Sequence, residues 1–248
     1  MSDKDQHFVA LHMSQDDSGD HIFAEALSID ENGERDSSFA RLKGKGFRNR
    51  EKPESKASQA VIYAPVGAEA VQRFTALSGL LMDLYAADSL PIEYKSASDR
   101  STADDPNIIK MNCYDMTIFA LVTSGIDPAM VFDEDDIDLS DNNTKTLIDR
   151  QALWTARQSL GTAENGYNLS QDRDFTNVAV PRAFAIDLNH AGGPTKAFNA
   201  MASRPEIFSA LTQDGRTADM APQPLPQVIV DSAAKAGIAI PAILGGGP

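Results

Sequence analysis

Residues 21–33 read His21-Ile-Phe-Ala-Glu-Ala-Leu-Ser-Ile29-Asp-Glu-Asn-Gly33, and this stretch decides the fold class. Phe23, Glu25, Leu27 and Ile29 follow His21 on one face of an extended segment, a period of two. Residues 30–33 are turn chemistry, because Asn-Gly tolerates the positive φ values of a type I′ hairpin. Working outward, residues 8–14 predict a strand before the polar turn at 15–20, and residues 36–43 predict a third strand. A two-residue turn at Asn32-Gly33 would pair Ile29 with Asp36 and Leu27 with Ser38. That register puts Asp36 and Ser38 on the His21 face.

Further along, residues 44–58 form a basic, polar loop with Lys45, Arg48, Arg50 and Lys52, conspicuous on so acidic a chain. A strand is expected at 60–64. A helix is expected over 66–83, where Val71, Phe74, Leu77, Leu80, Leu81 and Leu84 share a face. After a polar loop at 91–110, a second helix starts at Cys113 and stops near Gly125, before Pro128. The acidic run 133–138 lacks the glycine and closing glutamate of a calcium loop and reads as a solvated turn. Asn142 or Asn143 caps a helix reaching residue 161. Residues 178–188 include a strand interrupted by Pro181, 195–212 are helical with a stop near Pro205, and 222–226 are a rigid spacer. The expected class is α+β: a small antiparallel sheet packed on a central Cys-bearing helix, with an irregular C-terminal extension. Residues 1–164 form the expected catalytic domain and 165–248 a lid or docking segment.

Composition narrows the function classes. A net charge of −14 argues against nucleic acid and anionic membranes as partners. One cysteine excludes an intramolecular disulfide and a Cys-rich metal site. The four histidines (His7, His12, His21, His190) show no H-x-x-x-H spacing, so no metal and no cofactor is expected. No stretch of 18 apolar residues and no N-terminal signal layout is present. The expected localisation is therefore the producer's cytoplasm or export by a machine that reads no signal, with no membrane anchor.

Cys113 opens a helix, where unpaired N–H groups and the helix dipole favour a thiolate and later an oxyanion. Such a nucleophile needs a histidine base. His21, at a strand start, and His190, before Gly192-Gly193, are the two candidates; His7 sits near a terminus and His12 reads as a structural mid-strand histidine. Asp36 as a carboxylate or Ser38 as a hydroxyl could orient the ring; the alternative for each is an exposed strand residue. Tyr94 reads as an ordinary half-buried tyrosine, and Asp115 takes no catalytic role.

Gly19-Asp-His21, the hairpin at 30–33 and Asn112-Cys113, in that order, resemble the circularly permuted NlpC/P60 papain-like superfamily, which includes lecithin:retinol acyltransferase-like proteins. The resemblance spans residues 7–127. It implies a cysteine peptidase or amidase in which His21 activates Cys113 for acyl transfer to and from a peptide-like amide. It would instead place Tyr94 near an oxyanion site. Bacterial peptidoglycan is the favoured substrate, with delivery as a type VI secretion toxin and a cognate immunity protein as partner. The alternatives are an acyltransferase or thiol lipase of the same fold, and a catalytically inert binding module.

Overall fold

The structure, a computed structural model, describes residues 6–16, 19–43, 46–49, 58–94, 107–128, 184–192, 198, 215 and 217–245. Five of the strands expected or extended from the sequence lie side by side: β1 (Gln6–Asp16), β2 (Gly19–Ile29), β3 (Arg35–Lys43), β5 (Ser58–Pro65) and β8 (Phe184–Gly192). A short strand, β4 (Gly46–Arg48), completes a six-stranded sheet in the order β4-β3-β2-β1-β5-β8. Every neighbouring pair in it is antiparallel. The fold is thus α+β with an antiparallel sheet. The stretch expected as a plain loop at 91–110 instead contributes β6 (Ile92–Tyr94) and β7 (Ile109–Met111), a parallel pair. The acidic run 133–138 and the helix expected at 142–161 lie outside the described residues, as does nearly all of 195–212.

The β2–β3 turn corrects the expected register. Ile29 pairs with Arg35 and Leu27 with Ser37, one residue out from the two-residue turn. Gly33 takes φ 79°, its N–H donates to the Asp30 carbonyl at 3.0 Å, and the Asp30 N–H donates to the Glu34 carbonyl at 3.1 Å. This is a longer loop with glycine at the left-handed position. The Asp30 carboxylate selects it by accepting the N–H groups of Asn32 (2.9 Å) and Glu34 (2.8 Å). A slip of one residue reverses every side chain. Asp36 therefore lies opposite Ser28, and Ser38 opposite Ala26, on the face away from His21.

Two helices cover one face of the sheet. Helix α1 (Ala68–Ala86) buries Val71, Phe74, Leu77, Leu81 and Leu84, the stripe its periodicity predicts. These side chains meet Val9, Leu11, Ile22, Ala24 and Leu42 of the sheet in one apolar core. Helix α2 (Cys113–Thr123) is apolar nearly all round and is buried against β2, β3 and α1. It ends as expected at Gly125 (φ 76°), where the Ile126 N–H returns to the Leu121 carbonyl at 2.9 Å.

The described parts of 165–248 are built into this unit. β8 extends the sheet beside β5. Asp219 reaches the start of α1, accepting the Gly67 N–H on both carboxylate oxygens at 2.9 and 3.0 Å. A Cβ at Gly67 would stand 2.8 Å from that carboxylate, so a larger residue there would make the Asp219 side chain shift. Helix α3 (Gln227–Ala236), not foreseen in the sequence, buries Ile229 and Ala233 in the same core. Arg73 of α1 donates to the Ile243 carbonyl in the 3-10 turn that follows (Ala242–Leu244).

Candidate functional site

Cys113 is the first residue of α2, but its surroundings are those of a packed residue. Asn112 Oδ1 accepts the Asp115 N–H at 2.9 Å, and Asp115 Oδ2 accepts the Asn112 N–H at 2.9 Å. That reciprocal pair is a capping box. Cys113 is 4% exposed and belongs to the apolar core between the helices and the sheet. Asp115 places a carboxylate at the helix start, opposing a second negative charge there.

His21 lies on the other side of the sheet. It shares its face with Phe23, whose ring is 5.9 Å away, whereas Ile22 faces the helices and Cys113's core. The sheet therefore stands between Cys113 and His21. Asp36 is exposed and Ser38 half-buried, both on the helix-side face, so neither is placed to orient the His21 ring. His190 lies in β8, an edge strand three inter-strand steps from β2. That is about 14 Å of sheet. Tyr94 is exposed on β6. His7 faces the helix side and bonds Ser28 Oγ at 2.9 Å.

What the sheet does bring together is a buried polar cluster on the face turned from α1 and α2. His12 Nε2 meets Glu25 Oε2 at 2.7 Å, a diagonal pair across β1 and β2 with both side chains fully enclosed. Ser37 donates to Glu25 Oε1 at 2.6 Å, and Arg35 Nε lies 3.6 Å from the same oxygen. Burial pushes the Glu25 carboxyl up, but the hydrogen bond and charge of His12, then Arg35 and Ser37, outweigh it and hold Glu25 below its ordinary value. Tyr63, opposite Ala10 in register, is fully buried. Burial first, and Glu25 second, raise its phenol well above the usual range.

Aromatic rings form the floor. His12 stacks on Phe23 at 4.7 Å and 7°, Phe39 lies 6.5 Å from Phe23, and the Arg41 guanidinium lies 4.9 Å over the same ring. Phe198 meets Arg35 at 5.3 Å. Among the buried polar atoms on this face, the Tyr63 hydroxyl and Arg41 Nε have no hydrogen-bond partner among the described residues. Buried groups are normally satisfied, so both mark a place where the described part of the protein does not complete the network.

His12 read as structural in the sequence, and Glu25 only as one more alternating residue. The available signal was a glutamate and an arginine set inside buried strands, Glu25 between Ala24 and Ala26 and Arg41 between Ala40 and Leu42. Charges there need partners. Compared with known proteins, the chain matches no protein-family model, no curated protein and no solved structure. Among the described residues no helix is long and apolar enough to cross a membrane.

Proposed function

We propose that this chain is a ligand-binding module that works through the sheet face turned from α1 and α2, with Cys113 a packing residue. The supporting observation is the division of labour across the sheet. The thiol sits in an apolar core, while the ionisable side chains His12, Glu25, Arg41 and Tyr63 share the opposite face. Clustered, desolvated ionisable groups are a mark of functional sites.

A papain-like cysteine hydrolase acting on a peptide-like amide such as peptidoglycan, exported as an antibacterial toxin, is the second reading. One observation favours it: α2 starts at Cys113, which places the thiol at a helix N-terminus. Alkylation of the single thiol separates the two. The binding module predicts slow labelling of the folded protein that is unchanged in His21→Ala and His190→Ala and becomes fast on unfolding. Rapid labelling well below the free-thiol pKa of about 8.5, lost in one histidine variant, overturns the module and names the base.

A further inference from the structure

Two arginines of β3 sit on the face turned from α1 and α2, and only one of them has a carboxylate. Arg35 Nε lies 3.6 Å from Glu25 Oε1, with its guanidinium 5.3 Å from the Phe198 ring. Arg41 has the ring without the acid. Its guanidinium lies 4.9 Å over Phe23, and among the described residues no acidic side chain pairs with it. Glu25 is already committed, since one oxygen holds His12 and the other takes Ser37 and Arg35.

Arg41 is 8% exposed, so little water solvates its charge. A guanidinium taken out of water needs an anion beside it, and the face of one aromatic ring offsets only part of that cost. Burial first, then the charge of Arg48, lowers Arg41 from its ordinary 12.5 to about 10, so it stays charged at neutral pH. Arg48 does not share the position: its guanidinium donates to the Phe47 carbonyl at 2.7 Å and lies 5.3 Å from Tyr85 of α1. Nε is the one Arg41 nitrogen that is both enclosed and without a hydrogen-bond partner among the described residues. The outer edge of the fork is therefore the part left to meet a ligand.

We propose that the outer edge of the Arg41 guanidinium, held over Phe23, binds a small organic molecule through a single carboxylate group. The planar fork of an arginine matches the two oxygens of a carboxylate. One guanidinium offsets one negative charge, whereas a phosphate monoester carries close to two and would leave the second unmatched. Arg35 and Glu25 already make the same match on the same strand and face, with an acid that the chain supplies itself. Phe23 and Phe39, 6.5 Å apart, give the ligand's body an apolar neighbour. So sunken a fork admits the slim end of a small molecule better than the broad surface of a protein partner. This inference rests on the second sheet face being the working face and names its ligand class.

The test is a ligand-observed proton NMR titration of the full chain with benzoate, with benzamide as the uncharged shape match and phenyl phosphate as the dianion. Saturable benzoate binding is expected in the wild type, with benzamide about ten-fold weaker or more and phenyl phosphate no tighter than benzoate. Arg41→Met should weaken benzoate by about ten-fold or more, and Arg41→Lys, which keeps the charge but loses the fork, several-fold. Arg48→Gln should leave it within about two-fold. Absence of saturable benzoate binding, equal binding of benzamide, or unchanged affinity in Arg41→Met overturns the site. Tighter binding of phenyl phosphate overturns the carboxylate, and a loss in Arg48→Gln as large as in Arg41→Met overturns the single-arginine site. Should Arg41→Met fail to fold, Arg41→Lys decides in its place, and unchanged affinity there overturns the site equally. Absent benzoate binding combined with slow, histidine-independent alkylation of Cys113 rejects the carboxylate and leaves the module. Rapid histidine-dependent alkylation rejects the module whatever benzoate does.

Discussion

The two faces of the sheet are built on different principles from the same strands. On the helix side, Val9, Leu11, Ile22, Ala24 and Leu42 meet α1 and α2 with carbon against carbon. On the other side, Phe8, Phe23 and Phe39 alternate with or adjoin His12, Glu25 and Arg41, and all six are buried. Apolar burial is non-directional and forgiving of register at the level of energy. A buried charge is not: its stability depends on one partner at one distance. The helix side therefore carries cohesion, and the opposite side carries specificity at a cost.

Three substitutions sharpen that contrast. The largest effect belongs to the helix side: Phe74→Ala, at a position 1% exposed, should lose about 3–5 kcal/mol in urea unfolding. Its stability should keep the wild-type dependence on pH. A loss confined to a few tenths would mean that α1 is not the main source of cohesion.

Glu25→Gln should come next, at about 1.5–3 kcal/mol near neutral pH, because His12, Ser37 and Arg35 all lose a charged acceptor. Glu25 is held below its ordinary value of 4.5 in the folded chain. As pH falls below 4.5 the unfolded chain takes up that proton first, so the stabilisation from Glu25 is present above that pH and drains away below it. The variant should show a flatter stability curve over that acid range. Identical curves for variant and wild type would show that the pair contributes nothing to the acid limb.

Asp219→Ala is the mildest, at about 1 kcal/mol, the usual worth of a helix cap. It tests whether the C-terminal segment steadies α1 through the Gly67 N–H, and amide exchange in the first turn of α1 should quicken. Unchanged exchange would make Asp219 incidental to the helix.

Much of the frame was legible in the chain. The alternation at residues 21–29 foretold β2, the stripe from Val71 to Leu84 foretold α1, and Cys113 and Gly125 marked the start and stop of α2. These signals are local, since each depends on neighbours within a turn of helix or along one strand. The candidate site was less legible because it depends on where strands meet. Asn32-Gly33 permits a two-residue turn, but the Asp30 carboxylate stabilises the longer one, and Ser37 rather than Ser38 turns toward the His21 face.

The sequence alone determined the period of each element, and with it the α+β class. It also determined the acidic charge and the single thiol. Tertiary structure decided which face each functional side chain occupies. It put the sheet between Cys113 and His21, joined His12 to Glu25, and laid Arg41 over Phe23. The reason is physical: periodicity is a property of one segment, whereas register and charge pairing are contacts between segments, settled only when the strands dock.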